Sequence, residues 1–398
     1  MSRAFEGIRV IDTTHVIAGP FATYQLALLG ADVIKIEHPT EPDQTRRSGS
    51  DPDLNANEMG TQYVNQGANK RSITLDLKTE KGREILKRLV ADADVFVENY
   101  RSEAFPALGL GYEDLKKINP ALIYCSLTAW GDKGPRSNQT AYDQVIQAYS
   151  GVMSITGTPE TGPLRCGPQL LDFGGGIIGA LAISSALFRR AQTGQGQHVT
   201  PTLTDTAFQL MSAQITASLR SGKELTFQTT DRKHAGQSCY VAKDGEQIML
   251  GAGNDQQYAR FWTLVGEPER GAASLAERYD RAADDRARIA AIMLTKTAQE
   301  WEDCLQQNHI AAARLRTVQE ALDDPQTEYR NARHWFEDGD CPGVEGRLSV
   351  PVAGFGADVD GPRVDTPPPR YGADTDDVLA EIGMSADEIA EARAQGVI

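Results

Sequence analysis

Cysteine is scarce and unpatterned. The 398-residue chain holds five, Cys125, Cys166, Cys239, Cys304 and Cys341, with no C-x-x-C pair. Such spacing excludes a disulfide framework and a cysteine zinc site, and predicts reduced thiols. The six histidines, His15, His38, His198, His234, His309 and His334, never fall at H-x-x-x-H spacing, so no metal is expected. No G-x-S-x-G elbow of a serine hydrolase is present. Positive charge is short too: 40 Lys and Arg face 55 Asp and Glu, for a net charge of −15. That balance repels polyphosphate backbones, so nucleic acid is not an expected partner. An anionic ligand must find a local basic pocket. No apolar run approaches the roughly 18 residues that span a bilayer, and the opening MSRAFEGIRVIDTTH lacks the apolar core of a leader. The expectation is a soluble, cytoplasmic protein without a membrane partner.

What is present is ordinary globular composition, 40% hydrophobic and 24% charged, enough for a sizeable core. The length suggests two or three domains, or one large domain with an insert. The first third alternates strand and helix signals. IRVIDTT is a β-branched run; GPFATYQLALLG is a helix with Pro near its first turn and Gly at its end; ADVIKIE is a second strand. The order strand, helix, strand implies a parallel sheet. RSITLDL, DVFVEN and ALIYCSLT extend it, with helices TEKGREILKRLVADA and YEDLKKINP between them. Residues 46–66 read as an irregular loop. SCYVAKDGEQIMLGAG reads as a hairpin turning at Asp244-Gly245, and opens a smaller α+β domain near 225–320. The fold class expected is α/β: a Rossmann-like large domain over 1–224, the small domain over 225–320, and a segment 321–398 returning to the large domain.

The stretch QLLDFGGGIIGALAISSALF raises two possibilities. Gly174, Gly176 and Gly179 match G-x-G-x-x-G, but no good strand precedes them and no acid closes the following strand. A dinucleotide loop is therefore not supported. Asp172 sits at or just before a helix start. It reads either as an N-cap or as a nucleophile or base beside uncovered backbone. His15 ends a parallel strand, where ligands gather in open sheets, or is a plain loop residue.

Several blocks together resemble the class III CoA-transferases, the group that includes formyl-CoA transferase and carnitine CoA-transferase; the α-methylacyl-CoA racemases share the fold. The blocks are GIRVIDTTHVIAGPFATYQLALLGADVIKIEHP, ANKRSITLDLKTEKGREILKRLVADADVFVENYR, LGLGYEDLKKINPALIYCSLTAWGDKGP, AYDQVIQAYSGVMSITG and LDFGGGIIGALAISSALFRRAQTGQGQHV. They cover nearly the whole chain. The resemblance implies an interlocked homodimer that uses a CoA thioester as substrate, with a small carboxylic acid as acceptor and no permanent cofactor. It implies that Asp172 is the catalytic carboxylate, forming an aspartyl anhydride and then an aspartyl-CoA thioester, with Gly174, Gly175 and Gly176 as oxyanion donors. CoA would meet His15, Val16, Ile17, Ala18, His38, Leu75, Lys78, Asn99, Tyr100, Arg101 and Thr140. The family's glycine loop over the acyl group corresponds to Gly251, Gly253 and Asn254. Ala107 and Thr140 stand where formyl-CoA transferase has basic residues, so either fewer cations hold the CoA phosphates or Arg46, Arg47 and Arg136 substitute. The racemases pair the aspartate with a histidine, but Tyr142 stands at that position here, so one of two bases is missing. An acyl-CoA racemase and a CoA-binding protein without turnover are the alternatives.

Overall fold

In a computed structural model, residues 3–227 and 234–398 are described. The chain divides into two compact units, one of residues 1–152, 165–220 and 330–398, the other of 153–164 and 221–329. The second unit thus takes in residues 153–164, a segment not expected there.

The first unit is built on six parallel strands: β1 (Arg9–Asp12), β2 (Asp32–Glu37), β3 (Lys70–Thr74), β4 (Val95–Glu98), β5 (Ile123–Ser126) and β6 (Gln197–Val199). Their order is β3-β2-β1-β4-β5-β6. Val10 of β1 pairs with Val33 on one side and Val95 on the other. All three are buried, as expected for central strands covered on both faces. The chain runs outward from β1 to β3 and then restarts at β4 on the opposite side of β1. That reversal opens a crevice at the C-terminal ends of β1 and β4, where open α/β sheets bind ligands.

Helix α1 (Ala18–Leu28) is buried on nearly every side. Helix α2 (Glu80–Ala91) is amphipathic, capped by Thr79, and buries Ile85, Leu86, Leu89 and Val90. α3 (Tyr112–Ile118) and α4 (Asp143–Ser150) precede the long α5 (Leu170–Thr193), which Gly194 ends at a left-handed φ of 70°. α6 (Leu203–Leu210) follows β6. By length and composition α5 is apolar enough to cross a membrane, and half of its most apolar window is buried inside the protein. This corrects the expectation that no run reaches that length: its glycines and serines interrupt the string of large apolar residues, yet the mean hydropathy stays high.

Residues 46–66 are not one irregular loop. They include the end of a 3-10 turn, Gln44–Arg47, and two short helices, Pro52–Ala56 and Thr61–Val64. The Asp51-Pro52 pair is a helix start: the Asp51 side chain accepts from Asp53 and Leu54 N–H groups.

In the second unit, β7 (Gln237–Val241) and β8 (Gln247–Gly251) form an antiparallel pair, with Gly245 at φ 83° in the connection. Helices α7 (Asp255–Leu264), α8 (Ala282–Met293) and α9 (Ala298–Gln307), with strand β9 (Ala312–Arg314), complete a core around Ile248, Leu250, Phe261, Trp262, Ile289 and Trp301. The chain then returns to the first unit. α10 (Thr375–Glu381) and α11 (Ala386–Ala394) bury Val378, Leu379, Ile389 and Ala392 in the same core as Ile11, Ile34 and Ile85.

Candidate active site

The loop after β1 is fixed from below by buried charge. The Asp12 carboxylate is wholly buried and accepts from the Thr14 N–H at 3.0 Å, the Thr23 hydroxyl at 2.6 Å and the Lys70 ammonium at 3.1 Å. Burial alone would raise its pKa; the Lys70 and Lys35 ammonium groups reverse that and hold it well below the usual carboxylate range. Lys35 Nζ donates to the Thr14 carbonyl at 2.8 Å and to Asp43 at 3.1 Å. Asp43 in turn accepts from the Val16 N–H at 3.2 Å, and Gln66 donates to the Val16 carbonyl at 2.7 Å. Val16 has φ 69°, a left-handed conformation that a β-branched residue enters only when its surroundings hold it there.

Asn99, just past β4, locks this loop from the side. It accepts from the His15 N–H at 2.9 Å and donates to the His15 carbonyl at 2.7 Å. The His15 ring meets the Tyr100 hydroxyl and packs edge-on to that ring at 5.2 Å. Burial, and then Lys35, lower the His15 pKa against the pull of Asp43, which favours the neutral imidazole. Arg101 donates to the Thr140 hydroxyl at 2.9 Å.

These residues line a cavity of about 320 Å³ whose wall includes His15, Val16, Ile17, Ala18, Asn99, Tyr100, Arg101, Thr140, Tyr142 and Asp172. A second cavity, of about 220 Å³, shares the Tyr100 ring and is lined by His38, Leu75, Lys78, Ala104, Phe105 and Leu108. The residues expected at CoA are thus distributed over two neighbouring cavities at the crevice. His38 Nε2 lies 3.5 Å from Asp76, and Lys78 is exposed, 3.9 Å from Glu41.

Asp172 is the third residue of α5 and is 8% exposed. It is not the N-cap. Gln169 holds that position, and its side chain makes no cap hydrogen bond. The capping group comes from elsewhere in the chain: the buried Asp143 accepts through Oδ2 from the Leu171 N–H at 2.7 Å and the Asp172 N–H at 3.2 Å. Gln147 donates to the other oxygen of Asp143 at 2.5 Å. The Asp172 carboxyl makes no hydrogen bond among the described residues. Burial, and secondarily the Asp143 charge, push its pKa up to about 7. Sequence reading missed Asp143; its signal was an acid opening a helix directly after an aromatic, in AYD.

The glycines after Asp172 also differ from expectation. The helical ladder already begins at Phe173, whose N–H donates to the Gln169 carbonyl at 3.1 Å. Gly174, Gly175 and Gly176 follow inside α5, so the ladder takes their N–H groups and they are not free oxyanion donors. Their small size serves close packing instead. A Cβ on Gly175 would lie 2.6 Å from Leu203, and one on Gly176 2.9 Å from the Ala18 carbonyl.

Of the three spare arginines, Arg46 is not a substitute phosphate ligand. It is wholly buried, pairs with Glu37 at 2.6 Å, and lies 3.8 Å from the Tyr63 ring centre. Arg47 pairs with Glu58 at 2.6 Å. In the second unit, Gly251 ends β8 and donates to the Ala311 carbonyl at 2.7 Å; Gly253 donates to Gly251 at 2.7 Å; Asn254 caps α7. Among the described residues, no group of three or more His, Cys, Asp or Glu is placed to hold a metal.

Known proteins are similar to this chain in sequence and fold. The model of CoA-transferase family III matches residues 5–375. A succinate–glutarate CoA-transferase of Agrobacterium fabrum is 35% identical, with 94% of this chain and 95% of that protein covered. An acetyl-CoA:oxalate CoA-transferase of Acetobacter aceti is 36% identical over 82% of this chain and 84% of its own length. Among solved structures, a CAIB/BAIF family protein from Brucella suis superposes with TM-score 0.81 and 31% identity, covering 96% of this chain and all of that one.

Proposed function

Because the chain belongs to CoA-transferase family III, we propose that it moves CoA from an acyl-CoA to a free carboxylic acid through covalent intermediates on Asp172. The observation that carries this reading is the placement of Asp172. A buried carboxyl without a hydrogen-bond partner among the described residues lines a cavity that shares a wall with a second, largely apolar one. An elongated thioester fits that pair: its adenine beside Leu75 and Phe105, its phosphates toward Lys78 and Arg101, its acyl carbon at Asp172.

An Asp172 oxygen attacks the thioester carbon, the C–S bond breaks, and CoA leaves as thiolate. The thiolate attacks the Asp172 carbonyl of the resulting anhydride and releases the donor acid as carboxylate. The acceptor carboxylate then attacks the aspartyl-CoA thioester, freeing the thiolate again. Attack of the thiolate on the new acyl carbonyl gives the product acyl-CoA and restores Asp172. Each step exchanges one acyl bond for another, dividing a hard exchange into easier ones. Burial serves twice: a poorly solvated carboxylate with a pKa of about 7 is a better nucleophile than one in water, and the anhydride is shielded from hydrolysis.

The acids named for the relatives, succinate, glutarate and oxalate, support a short dicarboxylic acid as substrate. The active form is a homodimer. This is supported by an exposed apolar stripe on α5, with Ile177, Leu181 and Phe188 at 57%, 60% and 69% exposure, an area of a kind that monomers rarely leave bare. The setting is the cytoplasm, and the ligands are small molecules, not nucleic acid or membrane.

The test is incubation of the purified protein with an acyl-CoA and a second acid, read by mass spectrometry. CoA exchange that disappears in Asp172→Asn is expected. Near-normal exchange by that variant overturns the mechanism. Deuterium uptake at the α-carbon without exchange would support an acyl-CoA racemase, and neither product a CoA-binding protein without turnover.

A further inference from the structure

The β5–α4 connection contributes Trp130, Gln139, Thr140 and Tyr142 to the wall of the Asp172 cavity. Arg136, the remaining arginine of the three, belongs to the same connection; it is not itself a wall residue but is hydrogen-bonded to one, Gln139. Its guanidinium carbon lies 4.9 Å from the Tyr149 ring centre and 5.3 Å from that of Trp130, and the two rings pack edge-on at 4.6 Å. Its hydrogen bond goes to the Gln139 side chain at 2.8 Å. Among the described residues no carboxylate pairs with it, and it is exposed. In a chain with 15 more acids than bases, this contrasts with Arg46, Arg47 and Arg71, all held by acids. Two aromatic faces and an amide orient the guanidinium, which lowers the entropy lost when its planar fork meets an anion.

We infer that Arg136 reads the far carboxylate of a dicarboxylic acid whose other carboxylate is at Asp172. The inference rests on the CoA-transfer reading and adds the residue that selects the acid. A guanidinium takes a carboxylate through two parallel N–H···O bonds. An acid lacking the second carboxylate gains nothing from it. The far charge of a dicarboxylate also needs a cation nearby, because the surface as a whole repels it. A CoA phosphate carries the same anionic chemistry, and the experiment separates the two sources.

Wild type, Arg136→Gln and Arg136→Lys are compared with acceptors matched in length, glutarate against pentanoate and succinate against butyrate. The expected result is that the ratio of dicarboxylate KM to monocarboxylate KM rises at least about tenfold in R136Q, with partial recovery in R136K. An unchanged ratio overturns the inference. So does a rise in acyl-CoA KM without a change in that ratio, which assigns Arg136 to a phosphate. Calorimetric titration of glutarate and pentanoate into each protein supplies a readout independent of turnover. If no acid accepts CoA, the functional reading fails; preference for glutarate that R136Q abolishes still upholds the role of Arg136, and absence of that preference in wild type overturns it.

Discussion

Replacing Asp143 by Asn removes one negative charge and turns the oxygen that accepts from Gln147 into an amide donor, so that one hydrogen bond is lost. The amide oxygen still accepts from the Leu171 and Asp172 N–H groups, now held at 2.7 and 3.2 Å, so the first turn of α5 keeps its cap. What changes is the field at Asp172. Its pKa stands at about 7 against a reference of 3.8, with burial the larger cause and Asp143 the second. The whole rise corresponds to about 4 kcal/mol. As the lesser of two contributions, Asp143 supplies under half of it, on the order of one pH unit. In the proposed mechanism the attacking species is the ionised carboxylate, so kcat/KM in wild type is expected to fall as pH drops through about 7. In Asp143→Asn the acidic limb moves down by about one pH unit, and relative activity at pH 6 rises about fivefold. The assay is CoA exchange at saturating acid, from pH 5 to 9. An acidic limb that stays in place, or moves upward, would refute the claim that the Asp143 charge sets the nucleophile. Asp143→Ala provides the contrast: it also loses the cap, at a cost of about 1–2 kcal/mol, and so separates charge from structure.

Asp172→Asn has a second consequence besides loss of exchange. A carboxyl whose folded pKa is raised above 3.8 binds its proton more tightly in the native state, so stability falls as pH rises through the window from about 4 to 7. Asn removes that penalty. Thermal melts therefore place the variant above wild type at pH 8 and level with it near pH 4. Gly176→Ala forces a methyl to 2.9 Å from the Ala18 carbonyl, and urea unfolding is expected to show a loss of about 1–3 kcal/mol, accompanied by weaker acyl-CoA binding because Ala18 belongs to the site loop. Arg101→Gln and Lys78→Gln raise the KM for acyl-CoA severalfold, and the effect shrinks when ionic strength goes from 0.01 to roughly 1 M as screening takes over.

The sheet was legible because its strands are mostly buried runs bounded by turn residues: IRVID, ADVIKIE and DVFVEN admit little else. The site was legible in residue identity but not in detail. Asp172 looked like a cap because helix starts are read from local cap formers, and here the local residue, Gln169, does no capping. Asp143, 29 positions earlier, does it instead, a relation no local pattern encodes. The three glycines looked like open backbone for the same reason: moving the helix start three residues earlier puts their N–H groups inside the ladder. Arg46 looked available because charge patterning assumes solvent, whereas its partner Glu37 ends a neighbouring strand and both side chains are fully enclosed.

Among the described residues, this unit carries three buried ion pairs, Asp12–Lys70, Lys35–Asp43 and Glu37–Arg46. Buried pairs seldom add stability over apolar residues of the same volume, since desolvation offsets their attraction. Their effect here is geometric. Lys35 takes the Thr14 carbonyl, Asp12 the Thr14 N–H, Asp43 the Val16 N–H, and Asn99 both backbone groups of His15. The loop that lines the cavity therefore has almost no backbone freedom left, and Val16 stays in a conformation it would leave if released. In the proposed mechanism a hydrolysable anhydride persists between attacks on the acyl carbons and on the Asp172 carboxyl carbon, so the walls around it have to hold still. The buried charges supply that rigidity from inside the sheet, and the exposed cations Lys78, Arg101 and Arg136 lie outside this network.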